Sequence, residues 1–196
     1  MPQAIFATAF LPTAEYVFHL LQYDEVQIDA CEFFPDQTNR SRCQILGPNG
    51  VQTLSIPLRK HANKTPTREI EIADGNWKVR HWRSIETAYN RSALFEHYRE
   101  EFRQLFFADE KNLLRYNTIL LNFILNKLKT HTAVSFTSSF RSTLEHDYRY
   151  LSNGKTHRQI TDLKLPHYPQ VFADRFAFIP NLSVIDFLFN TGGRLL

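Results

Sequence analysis

The sequence predicts a mixed α+β fold, an α/β arrangement in which a small mixed sheet from the N-terminal half is covered by three aromatic-rich helices and closed by a C-terminal helix. Short apolar or alternating runs dominate the first 75 residues, and hydrophobic residues then recur at helical spacing from residue 77 to residue 128. A dense apolar stretch follows at residues 178–189. With 196 residues, 43% of them hydrophobic, we expect a single domain over residues 1–196.

The strands are predicted in the first half of the chain. Residues 4–10 form an apolar run that ends at Pro12, after which Thr13 can cap a short helix. Residues 26–30 are the next strand candidate. Residues 42–46 and 51–58 flank a Gly-Pro-Asn-Gly turn, which predicts a β-hairpin. Residues 69–72 alternate glutamate with isoleucine, as a half-exposed strand does.

The helices follow after residue 75. Helical spacing of hydrophobic residues predicts three amphipathic helices over residues 77–88, 94–106 and 113–128. Asn117 interrupts the aliphatic stripe of the third helix, so we expect it to be buried and hydrogen-bonded. Residues 130–165 are expected to be rich in loops, with a strand candidate at residues 133–136. A last helix is predicted over residues 182–189, ended by two glycines.

Composition argues against several classes of protein. The net charge is +3 with both signs intermixed, unlike a general nucleic-acid binder. Charged and amide residues within the apolar helix at residues 113–128 argue against a membrane span, and the N-terminus lacks the basic region of a signal peptide, so we expect a cytoplasmic protein. Cys31 and Cys43 are expected to be free thiols, and no metal site is predicted. The cofactor and the oligomeric state remain unknown.

Two residues are candidates for catalysis. His81 shares a helix face with Trp77 and Ile85, where it could transfer a proton, although a core histidine with a structural role is the alternative. Asp186 lies three residues after Ser183, so the two could form a capping box. Alternatively, Asp186 could be a carboxylate of the site, because its surroundings in the sequence are apolar.

A basic loop joins two of the predicted strands. It contains Arg59, Lys60, His61, Lys64 and Arg68, which could clamp a phosphate or a carboxylate. The alternative is an ordinary solvated loop.

Several segments, in order along the chain, resemble the WbqC-like protein family. The segments are Glu32-Phe33-Phe34-Pro35-Asp36-Gln37-Thr38-Asn39-Arg40-Ser41-Arg42-Cys43, Asn49-Gly50 with Leu54-Ser55-Ile56-Pro57, Trp77 with residues 81–89, Gln170-Val171-Phe172, and Pro180-Asn181-Leu182-Ser183-Val184-Ile185-Asp186. The resemblance implies a role in assembling surface polysaccharide or glycolipid, by modifying or transferring a sugar-linked group. The reaction itself is not implied.

The chain departs from the family pattern at two positions. The pattern has a lysine where this chain has Asp36 and an asparagine where it has Ser41. The first change reverses a charge and the second removes an amide. If the lysine binds an anion in relatives, Asp36 would repel it, so either the specificity is altered or catalysis has been lost.

The leading hypothesis is an enzyme-like protein that binds a sugar nucleotide or another phosphorylated sugar, with no nucleic-acid partner. His81 and Asp186 are its catalytic candidates. Its substrate-binding candidates are Arg42, Gln37, Glu32, Trp77, Tyr89, Gln170, Asn181, Ser183, Arg59 and Lys60. The competing hypothesis is a noncatalytic binding or assembly protein that has lost catalytic residues.

Overall fold

A computed structural model describes residues 4–142, 145–153 and 165–193, and it confirms the α+β class. The strands are β1 (Ala4–Phe6), β2 (Glu25–Ile28), β3 (Arg42–Gly47), β4 (Gly50–Ser55) and β5 (Ala133–Phe136). The helices are α1 (Ala14–Leu20), α2 (Trp77–Tyr89), α3 (Phe95–Phe106), α4 (Leu113–Lys127) and α5 (Val184–Thr191). Short 3₁₀ turns lie at Thr67–Glu69 and Arg149–Ser152. The expectation of one domain over residues 1–196 stays a prediction.

The strands form two sheets. The first is parallel, in the order β1-β2-β5, with Val26 of the central strand beside both Ala4 and Val134. The predicted strand at residues 133–136 is thereby confirmed, and it brings a segment of the second half into the sheet. The predicted strand at residues 4–10 pairs only over Ala4–Phe6, and residues 7–10 continue as buried irregular chain.

The second sheet is the predicted β-hairpin. Strands β3 and β4 pair antiparallel, and Gly47 faces Gly50 across the turn. Gly50 has φ of +104°, a conformation that glycine adopts without steric penalty. Cys43, Ile45 and Leu54 are buried in the core, whereas Gln44, Thr53 and Ser55 are exposed.

The predicted strand at residues 69–72 is wrong. The chain turns at Thr67–Glu69, and Glu71 and Ile72 then make only isolated bridges, to Asn112 and Leu58. Ile70 and Ile72 are nevertheless buried. The alternation therefore reflects which side chains reach the core and not a paired strand.

The three predicted helices are confirmed as α2, α3 and α4. Their facing sides are aromatic: the Trp82 ring of α2 lies 5.9 Å from the rings of both Phe102 and Phe106 of α3. The side chain of Asn112 accepts a hydrogen bond from the Arg115 amide and so caps α4. Within the described ranges, no helix has the length and apolarity needed to cross a membrane.

The C-terminal helix is also confirmed, shifted to Val184–Thr191. It ends at Gly192, whose φ of +70° places it in the left-handed region. Its first turn is tied to the start of α1, because Ala14 N–H donates to Leu182 O and Val184 N–H donates to Pro12 O. Residues 182–184 and residues 12–14 are thereby held side by side.

Asn117 of α4 is buried as predicted. Its Nδ2 donates to Thr8 Oγ1 at 3.0 Å and to the backbone carbonyl of Arg40 at 2.8 Å. Thr8 follows β1, and Arg40 lies just before β3. The amide therefore connects α4 to both sheets, a role that a hydrocarbon side chain cannot take.

We predict that Asn117→Leu lowers the free energy of unfolding by about 1–3 kcal/mol, because it leaves Thr8 and the Arg40 carbonyl without their donor. Chemical denaturation measures the change. The matched control is Asn122→Leu on the exposed side of the same helix, which should change stability by less than about 0.5 kcal/mol. An Asn117→Leu protein as stable as the wild type would contradict this prediction.

Candidate functional site

A polar cleft of about 460 Å³ opens beside the β-hairpin, and we call it the Arg42 cleft. The chain segments that form it are the start of α1, the loop before β3, the hairpin itself, the 3₁₀ turn near residue 151 and the loop before α5. Its lining residues are Thr13, Glu15, Asp36, Gln37, Thr38, Asn39, Arg42, Cys43, Gln44, Thr53, Leu151, Asn153 and Asn181. Of the predicted site residues, Arg42, Gln37 and Asn181 meet here.

One wall of the cleft is the outer face of the hairpin. Alternation along β3 places Arg42 and Gln44 on the same face, opposite the buried side of Cys43 and Ile45. Thr53 of β4 faces Gln44 directly across the ladder. The wall therefore presents a guanidinium, an amide and a hydroxyl in a row.

Arg42 is half-buried, and its guanidinium makes no hydrogen bond or ion pair with any other residue in the described part of the chain. Arginine carries five donors in a planar fork that matches phosphate and carboxylate groups. A cation without a protein partner in a concave polar site is suited to an anionic ligand.

A carboxylate–amide pair forms another part of the cleft lining. Asn181 Nδ2 donates to Glu15 Oε2 at 2.8 Å, and the Glu15 backbone N–H donates to Asn181 Oδ1 at 2.9 Å. Asn181 has φ of +56°, which asparagine tolerates better than most residues. This reciprocal pair holds the loop before α5 against the first turn of α1.

Arg40 bonds residues that line the cleft and is itself only 2% exposed. Its guanidinium donates to both carboxylate oxygens of Glu32, at 2.7 and 2.8 Å, and to Asn153 Oδ1 at 3.0 Å. A buried ion pair with this bidentate geometry holds its segments in one arrangement. Glu32 is thereby engaged with Arg40, and it is not among the residues that line the cleft.

Asp36 connects the cleft to the basic loop. Its Oδ1 lies 3.2 Å from His61 Nε2, and the His61 ring packs edge-on against Phe34. The predicted binding residues of that loop do not line the cleft: Arg59 pairs with Glu71 and Asp74, and Lys60 is solvent-exposed. The basic loop therefore approaches the cleft through His61.

His81 does not line the cleft either. Its ring packs against Trp77 and Phe10, at centroid distances of 5.4 and 6.3 Å, and its Nδ1 is buried without a hydrogen-bond partner. Burial, with a smaller contribution from the Arg80 charge, lowers the pKa of His81 to about 4. The ring is therefore neutral at physiological pH.

Asp186 is 1% exposed, and its carboxylate lies inside the fold. Its Oδ2 accepts hydrogen bonds from the Tyr168 hydroxyl at 2.8 Å and from Gln170 Nε2 at 2.9 Å. Burial raises the pKa of Asp186, and these donors oppose the rise. The capping-box alternative is wrong, because the Ser183 hydroxyl instead donates to Leu11 O at 2.8 Å.

The other predicted binding residues lie in the interior. Trp77 and Tyr89 are core side chains, and burial together with the nearby Asp186 charge raises the pKa of Tyr89. Gln170 bonds both the amide and the carbonyl of Ile179. These residues shape the segment before α5 and do not reach the cleft. Among the described residues, no group of three or more His, Cys, Asp or Glu could hold a metal ion.

Sequence reasoning missed several cleft residues. The missed lining residues include Thr13, Glu15, Asn39, Gln44, Thr53 and Asn153, and Arg40 lies beneath them. The outward alternation of the hairpin was a usable signal for Gln44 and Thr53. No local pattern marks Arg40, because arginine is rarely this buried.

We predict that His81 makes the protein sensitive to acid. Because its pKa is about 4 in the folded state and 6.5 unfolded, the unfolded state binds more protons below pH 6.5, so stability falls as the pH drops from 6.5 towards 4. His81→Gln should flatten that part of the profile when unfolding is measured at several pH values. His131→Gln, at an exposed histidine, is the control and should leave the profile unchanged. Parallel profiles for wild type and His81→Gln would show that the ring is not held neutral.

The model of the WbqC-like protein family matches residues 8–155, which is most of the chain. The chain therefore belongs to the WbqC-like protein family. The match includes the strand β5 and the second 3₁₀ turn, and Gln170, Asn181, Ser183 and Asp186 lie beyond it. Comparison with curated proteins and with solved structures gave no match.

Proposed function

We propose that this member of the WbqC-like protein family binds a phosphorylated sugar or a sugar nucleotide in the Arg42 cleft and acts in the assembly of cell-surface polysaccharide or glycolipid. The observation that carries the proposal is the Arg42 guanidinium, which is unpaired among the described residues and lies in a cleft lined by amides and hydroxyls. A cytoplasmic location and the lack of a nucleic-acid partner belong to the same proposal.

The cleft has side chains that can bind both the phosphate and the sugar hydroxyls of such a ligand. Arg42 can bind phosphate oxygens through two parallel N–H donors. The Glu15–Asn181 pair in the lining combines a carboxylate with an amide, groups that accept from and donate to sugar hydroxyls. The cleft volume of about 460 Å³ is within the range of small-molecule sites.

In an enzyme of this kind, the cleft carboxylates would be the groups nearest to a bound sugar. Asp36 and Glu15 line the cleft, whereas His81 and Asp186 do not. His81 and Asp186 stay proposals as catalytic residues, made from the sequence, and both lie outside this lining. The reaction proposed is the modification or transfer of a sugar-linked group.

A noncatalytic binding or assembly protein is the second candidate. It is favoured by the engagement of Asp186 with Tyr168 and Gln170 inside the fold and by the carboxylate at position 36. Mass spectrometry after incubation of the protein with a sugar nucleotide, together with a panel of acceptor sugars and of acyl and amino donors, separates the two candidates. A new product favours the enzyme, and binding without a product favours the assembly protein.

We predict that Arg42→Ala weakens binding of a phosphorylated sugar by about 10–100-fold, since a hydrogen bond to a charged group contributes roughly 1.5–3 kcal/mol. Asp36→Lys should strengthen binding, because it replaces a negative charge at the cleft with a positive one. Both effects should shrink as salt rises. Titration calorimetry at two ionic strengths measures them.

Arg115→Ala is the matched control, because Arg115 is an exposed arginine on α4 that does not line the cleft. Its affinity should equal that of the wild type. Equal losses for Arg42→Ala and Arg115→Ala would mean that the cleft does not bind the anion.

A further inference from the structure

We infer that the ligand of the Arg42 cleft is a single sugar that carries one anionic group, a phosphate monoester or a carboxylate, and that it carries no nucleotide. This inference rests on the proposed function and narrows its substrate class. It follows from the kinds of side chain that line the cleft, their charges and their order along the hairpin.

The lining is dominated by groups that hydrogen-bond hydroxyls. Eight of the thirteen lining residues carry an amide or a hydroxyl: Thr13, Gln37, Thr38, Asn39, Gln44, Thr53, Asn153 and Asn181. Thr13, Thr38, Asn153 and Asn181 already bond other protein groups. The side chains of the other four make no hydrogen bond within the described part of the chain, and each can both donate and accept, which matches the dual character of sugar hydroxyls. Bases, by contrast, are held by stacking on aromatic rings. The described lining therefore fits a sugar better than a nucleoside.

The charges of the lining suit one anionic group. Arg42 is the one cationic side chain among the described lining residues, and Glu15 and Asp36 are carboxylates. One guanidinium can pair with one phosphate or carboxylate. The second phosphate of a nucleotide sugar would be placed among groups that include two carboxylates, which would repel it.

The order of groups on the hairpin limits the length of the ligand. Arg42 and Gln44 are two residues apart on the same face of β3, a separation of about 7 Å along the strand, and Thr53 faces Gln44. A single monosaccharide can reach from the guanidinium to this amide–hydroxyl pair. The anion and the sugar hydroxyls thus have neighbouring partners on one wall.

The test is titration calorimetry on the full chain with a panel of probes. The probes are the 1-phosphates of glucose, galactose, mannose and N-acetylglucosamine, then galacturonate, UDP-glucose, uridine monophosphate and inorganic phosphate. We expect one hexose 1-phosphate or galacturonate to bind at least tenfold more tightly than inorganic phosphate, uridine monophosphate and UDP-glucose.

Two variants locate the ligand. Arg42→Ala should reduce the affinity for the anionic sugar at least tenfold. Gln44→Ala should reduce it severalfold while leaving the affinity for inorganic phosphate unchanged, because Gln44 is exposed on the hairpin and is assigned to the sugar. Gln104→Ala, an exposed glutamine of α3, is the control and should change neither affinity.

The outcomes separate this inference from the proposed function. If UDP-glucose binds tenfold more tightly than every monosaccharide, and Arg42→Ala weakens that binding, the inference is wrong and the proposed function stands. If galacturonate binds and no phosphorylated sugar does, the inference is supported. The proposed function is then wrong in requiring a phosphorylated ligand. If no probe binds, or if Arg42→Ala and Gln44→Ala leave the binding unchanged, both the inference and the proposed function are wrong.

Discussion

The buried guanidinium of Arg40 is the interaction on which the rest of this structure depends. It binds Glu32 through both carboxylate oxygens, and it reaches the carbonyl of Ser152 and the side chain of Asn153. The backbone carbonyl of the same residue accepts from Asn117 of α4. Removing one partner of a buried ion pair is strongly destabilising, because it leaves the other charge buried without compensation. The cleft residues on either side of Arg40 take their positions from this network.

Much of the fold could be predicted from short stretches of sequence. Helical spacing predicted α2, α3 and α4, and the Gly-Pro-Asn-Gly turn predicted the hairpin, because these features depend on neighbours along the chain. The site could be predicted only in part. Ser183 has the spacing of a capping box with Asp186, but the carbonyl of Leu11, 172 residues away, accepts its hydroxyl hydrogen bond. Long-range partners of this kind leave no mark on a local pattern.

The charge at position 36 illustrates the same limit. From the sequence, Asp36 is a carboxylate where the family pattern has a lysine, and it should repel an anion. In the structure its Oδ1 lies 3.2 Å from Nε2 of the His61 ring. The carboxylate therefore acts on the cleft together with a neighbouring imidazole.

The assembly of the cleft from distant segments also has a consequence for how the chain folds. Glu15 and Asn181 are 166 positions apart, and β2 pairs with a strand more than 100 positions later. Contacts of such separation require large loops to close, which makes folding slow in comparison with helical proteins of local connectivity. The hairpin and the helices can form early, whereas the cleft exists only after the last of these loops has closed. In a newly synthesised chain, the Arg42 cleft would thus be among the last features to form.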